Sequence, residues 1–241
     1  DSLHTRISDY SKKDIYGGLF FKAGVLYKAK LKNSQYISIG ATGTLSQRIN
    51  ITRDEYYVAG TQPPYSGAPV VTDTISALYQ QKGKMELPSE FGFGVHYGKG
   101  ANYDFGVDLV YADWSTFKRF GATENEVGNN AYRVAFGGEV TPNARNSKQY
   151  LSMMTYRLGG YMGKDYVYYN STAVNYYGFT LGTQLPLRSN INTDEQGGAL
   201  NLSLDMGNRG TINNGLASEF YIKFTAGLRI NAHWFQRRAY Q

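Results

Sequence analysis

From Phe220 to Trp234 the chain holds a period of two for fifteen residues. The even positions are Phe220, Ile222, Phe224, Ala226, Leu228, Ile230, Ala232 and Trp234, all apolar. The odd positions are Tyr221, Lys223, Thr225, Gly227, Arg229, Asn231 and His233, none aliphatic. Such alternation puts successive side chains on opposite faces of an extended strand, and a helix cannot gather it onto one face. Strands of soluble domains usually run about five or six residues. A longer one, with a wholly apolar face ending in aromatics, fits a bilayer-crossing barrel strand of about 9–11 residues plus overhang.

The pattern recurs upstream. Leu200, Leu202, Leu204 and Met206 alternate with Asn201, Ser203, Asp205 and Gly207. Tyr177, Phe179 and Leu181 alternate with Gly178, Thr180 and Gly182. Tyr156, Leu158 and Met162 oppose Arg157, Gly159 and Tyr161, and Tyr132, Val134 and Phe136 oppose Arg133, Ala135 and Gly137. Phe105, Val107, Leu109 and Tyr111 share one parity, as do Phe91, Phe93, Val95 and Tyr97, and Phe21, Val25 and Tyr27. Composition agrees: 28 Gly and 22 Tyr both disfavour helix. No apolar run approaches the roughly 20 residues of a membrane helix, which leaves a barrel open.

The second face decides the class. A soluble β-sandwich or lipocalin-like barrel is the competing reading, but its outer face would be charged throughout. Here the polar parity is rich in Gly, Thr and Asn with sparse charges. An Arg or Lys at the bilayer midplane costs about 2–4 kcal/mol on the lipid face. Arg133, Arg157, Lys223 and Arg229 are therefore expected to face a wet lumen, with Asp108, Glu139 and Asp205 as pairing partners. Arg133–Glu139 is one such expected pair. Tyr27, Tyr97 and Trp234 are expected to form one aromatic girdle, and Tyr111, Trp114, Tyr132 and Tyr177 the other.

The expected fold is thus an all-β, antiparallel transmembrane β-barrel of the outer-membrane type, one domain over residues 1–241. Strands are expected near 16–31, 35–50, 84–97, 103–117, 131–142, 150–165, 175–187, 198–208 and 219–234. Residues 1–14 are read as irregular and 51–83 as a long extracellular excursion. Pro88 cannot donate to a ladder, so a bulge or kink is expected there. Compact joints alternate with long ones, which puts the C-terminus on the periplasmic side. Nine strands whose first and last run the same way cannot close antiparallel. The chain is therefore expected to be the C-terminal part of a longer barrel, unless 46–83 supplies two more membrane strands or 1–14 supplies one.

Chemistry-bearing motifs are sparse. The three His, at 4, 96 and 233, have no metal-ligand spacing, and His96 and His233 fall on the lumenal parity. No catalytic, cofactor-binding or metal site is expected, and the chain is not read as an enzyme. There is no Cys, so no disulfide or cysteine-ligated metal site can form. The net charge of +6 is scattered, and Lys28, Lys30 and Lys32 alternate as one strand face, so nucleic acid is not an expected partner. The tyrosines at 166, 168, 169, 176 and 177 read either as an extracellular contact surface or as a rim girdle.

Two stretches resemble a known family. One is Leu87-Pro88-Ser89-Glu90-Phe91-Gly92-Phe93-Gly94-Val95 followed by Phe105-Gly106-Val107-Asp108 and Asp113-Trp114-Ser115-Thr116-Phe117. The other is Tyr132-Arg133-Val134-Ala135-Phe136-Gly137-Gly138-Glu139 continuing to Thr141-Pro142-Asn143. With the closing Trp234-Phe235 and Arg237-Arg238, they are similar to the C-terminal half of FadL-type outer-membrane transport proteins. That resemblance implies about nine strands of a fourteen-stranded barrel with an N-terminal plug. It also implies passive uptake of a hydrophobic ligand, such as a long-chain fatty acid or an aromatic hydrocarbon, with lateral release. The alternative is a FadL-like barrel that does not transport and serves as a subunit of an outer-membrane assembly or secretion complex. Partners are then outer-membrane lipids, a hydrophobic ligand or other outer-membrane proteins; the location is the bacterial outer membrane.

Overall fold

A computed structural model describes residues 5–62, 70–124, 126–127, 130–143, 149–169, 172–188 and 196–230. The strands are β1 (Thr5–Gly17), β2 (Ala23–Lys30), β3 (Gln35–Thr44), β4 (Gln47–Gln62), β5 (Val70–Leu87), β6 (Ser89–Lys99) and β7 (Tyr103–Asp113). They continue with β8 (Lys118–Arg119), β9 (Asn130–Val140), β10 (Thr155–Tyr169), β11 (Thr172–Arg188), β12 (Gln196–Gly210) and β13 (Ser218–Ile230). The one α-helix among the described residues, α1 (Tyr150–Met153), is a single turn.

Two antiparallel sheets result. The larger has nine strands in the order β13-β12-β11-β10-β9-β7-β6-β3-β2, and the smaller has four in the order β1-β4-β5-β8. The two orders are related. β1 runs on into β2, β3 into β4, β5 into β6 and β7 into β8, each across a short break. Four neighbouring strands of the large sheet, β2-β3-β6-β7, thus continue beyond it as a projecting blade with the same neighbours, β1-β4-β5-β8. The breaks fall where sequence interrupts the ladder. Pro88 separates β5 from β6, as its missing N–H requires. Leu45–Ser46 separates β3 from β4, and Trp114–Thr116 forms a 3-10 turn between β7 and β8.

The blade revises the strand reading. Residues from Thr5 onward, expected to be irregular, form β1, and the described residues of the 51–83 excursion belong to β4 and β5, which pair antiparallel, while 63–69 lie outside the described residues. Neither adds a strand to the large sheet, which keeps nine. Residues 150–153 are helical, so β10 starts five residues later than expected.

The large sheet is all-β, strongly curled and barrel-like. Its convex face is apolar and bare: Phe224 is 68% exposed, Leu228 62% and Ile230 71%. Among the described residues only Ile51, Ala112, Phe117, Met154 and Ala199 are buried hydrophobics. A soluble sandwich stores its apolar side chains between two sheets; the described residues form no such layer. A continuous exposed apolar surface of this kind marks contact with lipid or protein.

Candidate functional site: the concave face

The opposite parity lines a cavity of about 1310 Å³ on the concave side of the large sheet. Asp108, Arg133, Glu139, Arg157 and Asp205 all line it, in agreement with the alternation. Lys223 sits opposite Asp205 in the β12–β13 register, two residues from Tyr221, which also lines the cavity. Arg229 lies further along the same parity of β13, opposite Ala199.

Two polar clusters organise this face. In the first, Arg157 on β10 reaches across four strands. Its Nε donates to Glu139 Oε2 at 2.9 Å, one terminal nitrogen to Asn201 Oδ1 at 3.1 Å and the other to Gln184 Oε1 at 2.9 Å. Beside it the Tyr161 hydroxyl donates to Asp205 Oδ1 at 2.9 Å and meets the Tyr221 hydroxyl. Arg133 lies over the Tyr161 ring, 5.0 Å from its centroid. The expected Arg133–Glu139 pair is therefore corrected. Both residues sit on β9, and Glu139 instead meets Arg157, its direct cross-strand partner. Residues of one parity six apart on a strand are about 20 Å distant, beyond side-chain reach.

The second cluster adjoins the first, since its Asp104 is the cross-strand partner of Glu139. His96 on β6 lies between Asp104 and Asp108 of β7, with Nδ1 3.1 Å from Asp104 and Nε2 3.6 Å from Asp108. The Tyr36 hydroxyl of β3 donates to Asp104. Glycine makes room for these flat-lying side chains. A Cβ on Gly106 would strike the His96 ring, and one on Gly178 would strike Tyr161. Sequence reading marked His96 as lumenal and put Asp104, Gln184 and Asn201 on the polar parity without naming them as site residues, and it passed over Tyr36. Their parity was the available signal.

The outward aromatics divide. Tyr27, Tyr97, Tyr111, Tyr132 and Tyr177 are exposed on the convex parity, and Tyr111 and Tyr132 are cross-strand partners. Trp114 does not join them. It lies in the turn after β7, stacks on Tyr166 with centroids 3.9 Å apart and lines the cavity. Asp113 builds that turn by accepting from the Ser115 amide at 3.2 Å, which is the local reason for an Asp-Trp-Ser sequence there. Trp234, His4 and His233 lie outside the described residues.

Among the described residues no three His, Asp or Glu side chains are placed so that they could hold a metal ion together, the His96–Asp104–Asp108 cluster included. Ion pairs and hydrogen bonds cross the lining of the cavity. Exposed pairs of this kind add about 1 kcal/mol or less each. Their clearer effect is geometric, since one guanidinium ties four strands at a common height.

Comparison with known proteins corrects the resemblance drawn from the sequence. No curated protein matches the chain. A family model described as BamG matches residues 3–241, and it describes a family associated with the Bam complex, not a FadL-type transport family. The expectation of fourteen strands rested on that resemblance, and lipid or hydrocarbon transport has no support from the match. The match and the β-rich fold together indicate association with the outer membrane and a role connected with its assembly. Since the match spans all but the first two residues, the chain belongs to the BamG family.

Proposed function

We propose that this chain is a non-transporting barrel subunit of an outer-membrane protein assembly complex. The family match over residues 3–241 carries the reading. The geometry supports it in two ways. The concave face carries a polar network of Arg157, Glu139, Gln184, Asn201, Tyr161 and Asp205, side chains that do not favour a greasy solute. The blade meanwhile offers the β4–β5 hairpin well beyond the large sheet, as a surface for other proteins.

In this reading the nine-stranded sheet crosses the bilayer, with Lys223 and Arg229 on its wet side and the exposed tyrosines at its interfaces. The blade leaves from the end opposite the C-terminal residue of β13, because Ile230 pairs with Gly198 while β3 and β6 enter the blade after Thr44 and before Ser89. Long excursions face outward in such barrels and short turns face the periplasm. The blade is then extracellular, and the chain leaves β13 on the periplasmic side. No catalytic step is assigned to it.

The test is purification of the protein from its native outer membrane in mild detergent without crosslinking. Stoichiometric co-purification with outer-membrane assembly proteins is the expected result. A lone barrel carrying a bound fatty acid or hydrocarbon overturns the reading.

A further inference from the structure

Among the described residues, three lysines at the base of the blade make no ion pair: Lys82, Lys84 and Lys118. Lys82 and Lys84 lie on β5 opposite Thr52 and Asn50 of β4, and Lys118 of β8 lies opposite Glu86, two residues further along β5. Residues two apart on one strand face are about 7 Å distant, and neighbouring strands lie about 5 Å apart. Three ammonium groups on long stems therefore reach one small anion. The carboxylate beside them, Glu86, is already taken by Arg48, whose Nε donates to it at 2.8 Å. The next acid along this face, Asp54, accepts from the Gln80 amide at 2.7 Å and stands opposite Lys13. The other face of the blade balances its charges instead, through Arg53–Asp14 and Arg119–Glu124.

The lysines lie on the outward side of the blade. The chain after β7 lays Phe120 against the opposite face, where it meets Gly83 and Arg53, and its Trp114 lines the concave cavity. That face thus continues the concave side, and the face of Lys82 and Lys84 continues the convex, apolar one. Their level is also set. Gly17, Asn50 and Lys84 form one row across β1, β4 and β5. From Gly17 the chain passes directly into Leu19, Phe20 and Phe21, all exposed. A cationic row therefore stands immediately above an exposed apolar one. Lysines take this position at a membrane surface, with the stem along the apolar side and the charge among anionic headgroups.

We infer that Lys82, Lys84 and Lys118 bind a phosphate on a glycolipid of the outer leaflet, whose acyl chains run down past Leu19, Phe20 and Phe21 onto the convex wall. Phosphate suits the site because it is compact, can carry more than one negative charge and offers several acceptor oxygens to three donors. The acyl chains account for cations placed beside the apolar joint and on its lipid side. The inference rests on the orientation given above, with the blade extracellular, and holds whichever proteins the subunit joins.

The experiment uses the full chain purified in dodecylmaltoside, with diphosphoryl lipid A as the probe. Acylation of each lysine is read by mass spectrometry. The expected result is that the lipid slows acylation of Lys82, Lys84 and Lys118 and leaves Lys12, on the blade's other face, unchanged. Lipid A stripped of its phosphates protects none of them, and neither does inorganic phosphate. Lys82→Gln, Lys84→Gln and Lys118→Gln each weaken retention of the lipid about fivefold, and arginine at the same positions restores it. Absence of protection, equal protection of Lys12, or protection by the dephosphorylated lipid overturns the inference. Protection by inorganic phosphate alone also overturns it, since the site then takes a free anion. So do crosslinks from these lysines to another protein in the native outer membrane. Co-purification reads the subunit role separately. Assembly partners without lysine protection sink this inference alone, and lysine protection without assembly partners sinks the subunit role alone.

Discussion

The side-chain amide of Gln47 holds both backbone groups of Phe21: the Phe21 N–H donates to Gln47 Oε1 at 2.8 Å, and Gln47 Nε2 donates to the Phe21 carbonyl at 2.9 Å. The amide stands in for a ladder pair where β1 has ended, β2 has not begun and β4 is starting. Two further contacts close the same joint. Ser46 Oγ donates to the Leu87 carbonyl at 2.9 Å, and Lys22 meets Glu90 at 2.7 Å. The blade is thus tied to the large sheet by side chains where the backbone ladder is interrupted.

Gln47→Ala removes both bonds to Phe21 and should loosen the joint by about 1–2 kcal/mol. Hydrogen exchange and limited proteolysis around residues 18–22 should accelerate, while the nine-stranded sheet keeps its resistance to heat in detergent. An equal loss throughout the molecule would contradict a joint with local stability.

Within the blade, Arg53 grips Asp14 with two bonds, Nε to Oδ1 at 2.7 Å and a terminal nitrogen to Oδ2 at 2.9 Å, and both side chains are largely buried. Bonding to Arg53 holds the Asp14 carboxyl below its ordinary range and raises the guanidinium. A carboxyl depressed on folding contributes stability above its unfolded pKa of about 3.9 and loses that contribution as pH falls through the lower folded value. The β1–β4 ladder should be insensitive to this group near neutrality and weaken below about pH 4. Asp14→Asn should flatten that acid dependence and cost about 1.5–3 kcal/mol at neutral pH. Amide exchange in β1 and β4, corrected for intrinsic rates, measures both.

The base of the blade depends on Gly83, where a Cβ would collide with the ring of Phe120. That ring also lies under Arg53, with 4.6 Å between guanidinium carbon and centroid. Gly83→Val should expel Phe120 and expose residues 118–122 to protease. Adding Phe120→Ala should restore protection to the β4–β5 hairpin, since the clash then has no second party.

Neighbours on β13 should respond in opposite ways to one charge. Phe224→Arg places a guanidinium on the convex face and should cost about 2–4 kcal/mol of folding stability in lipid vesicles. Thr225→Arg places it on the concave side and should change stability by less than about 1 kcal/mol. Equal penalties for the two would remove the distinction between a lipid face and a wet face.

Much of this was readable from alternation, because in a sheet one residue of shift moves every side chain to the other face. The inward placing of Arg157, Glu139 and Asp205 and the outward placing of Phe224 and Leu228 follow from parity alone. Partner choice does not. Arg157 rather than Arg133 meets Glu139 because the β9–β10 register puts them opposite one another, and register is a relation between strands. Trp114 shares the aromatic character of the girdle residues, yet Asp113 turns the chain beneath it and carries it to Tyr166.

By itself the sequence determined that the chain is strand-built, which face of each strand is apolar, and that Pro88 must break a ladder; each is a local consequence of residue order and backbone chemistry. Only the tertiary structure decided that residues 5–17, 47–62 and 70–87 leave the wall to form a second sheet in the same strand order, because period-two alternation looks alike in a wall and in a blade. The structure also decided that β2 and β13 run parallel to one another and, among the described residues, pair with no strand on their outer sides, since that depends on how many strands lie between them in space.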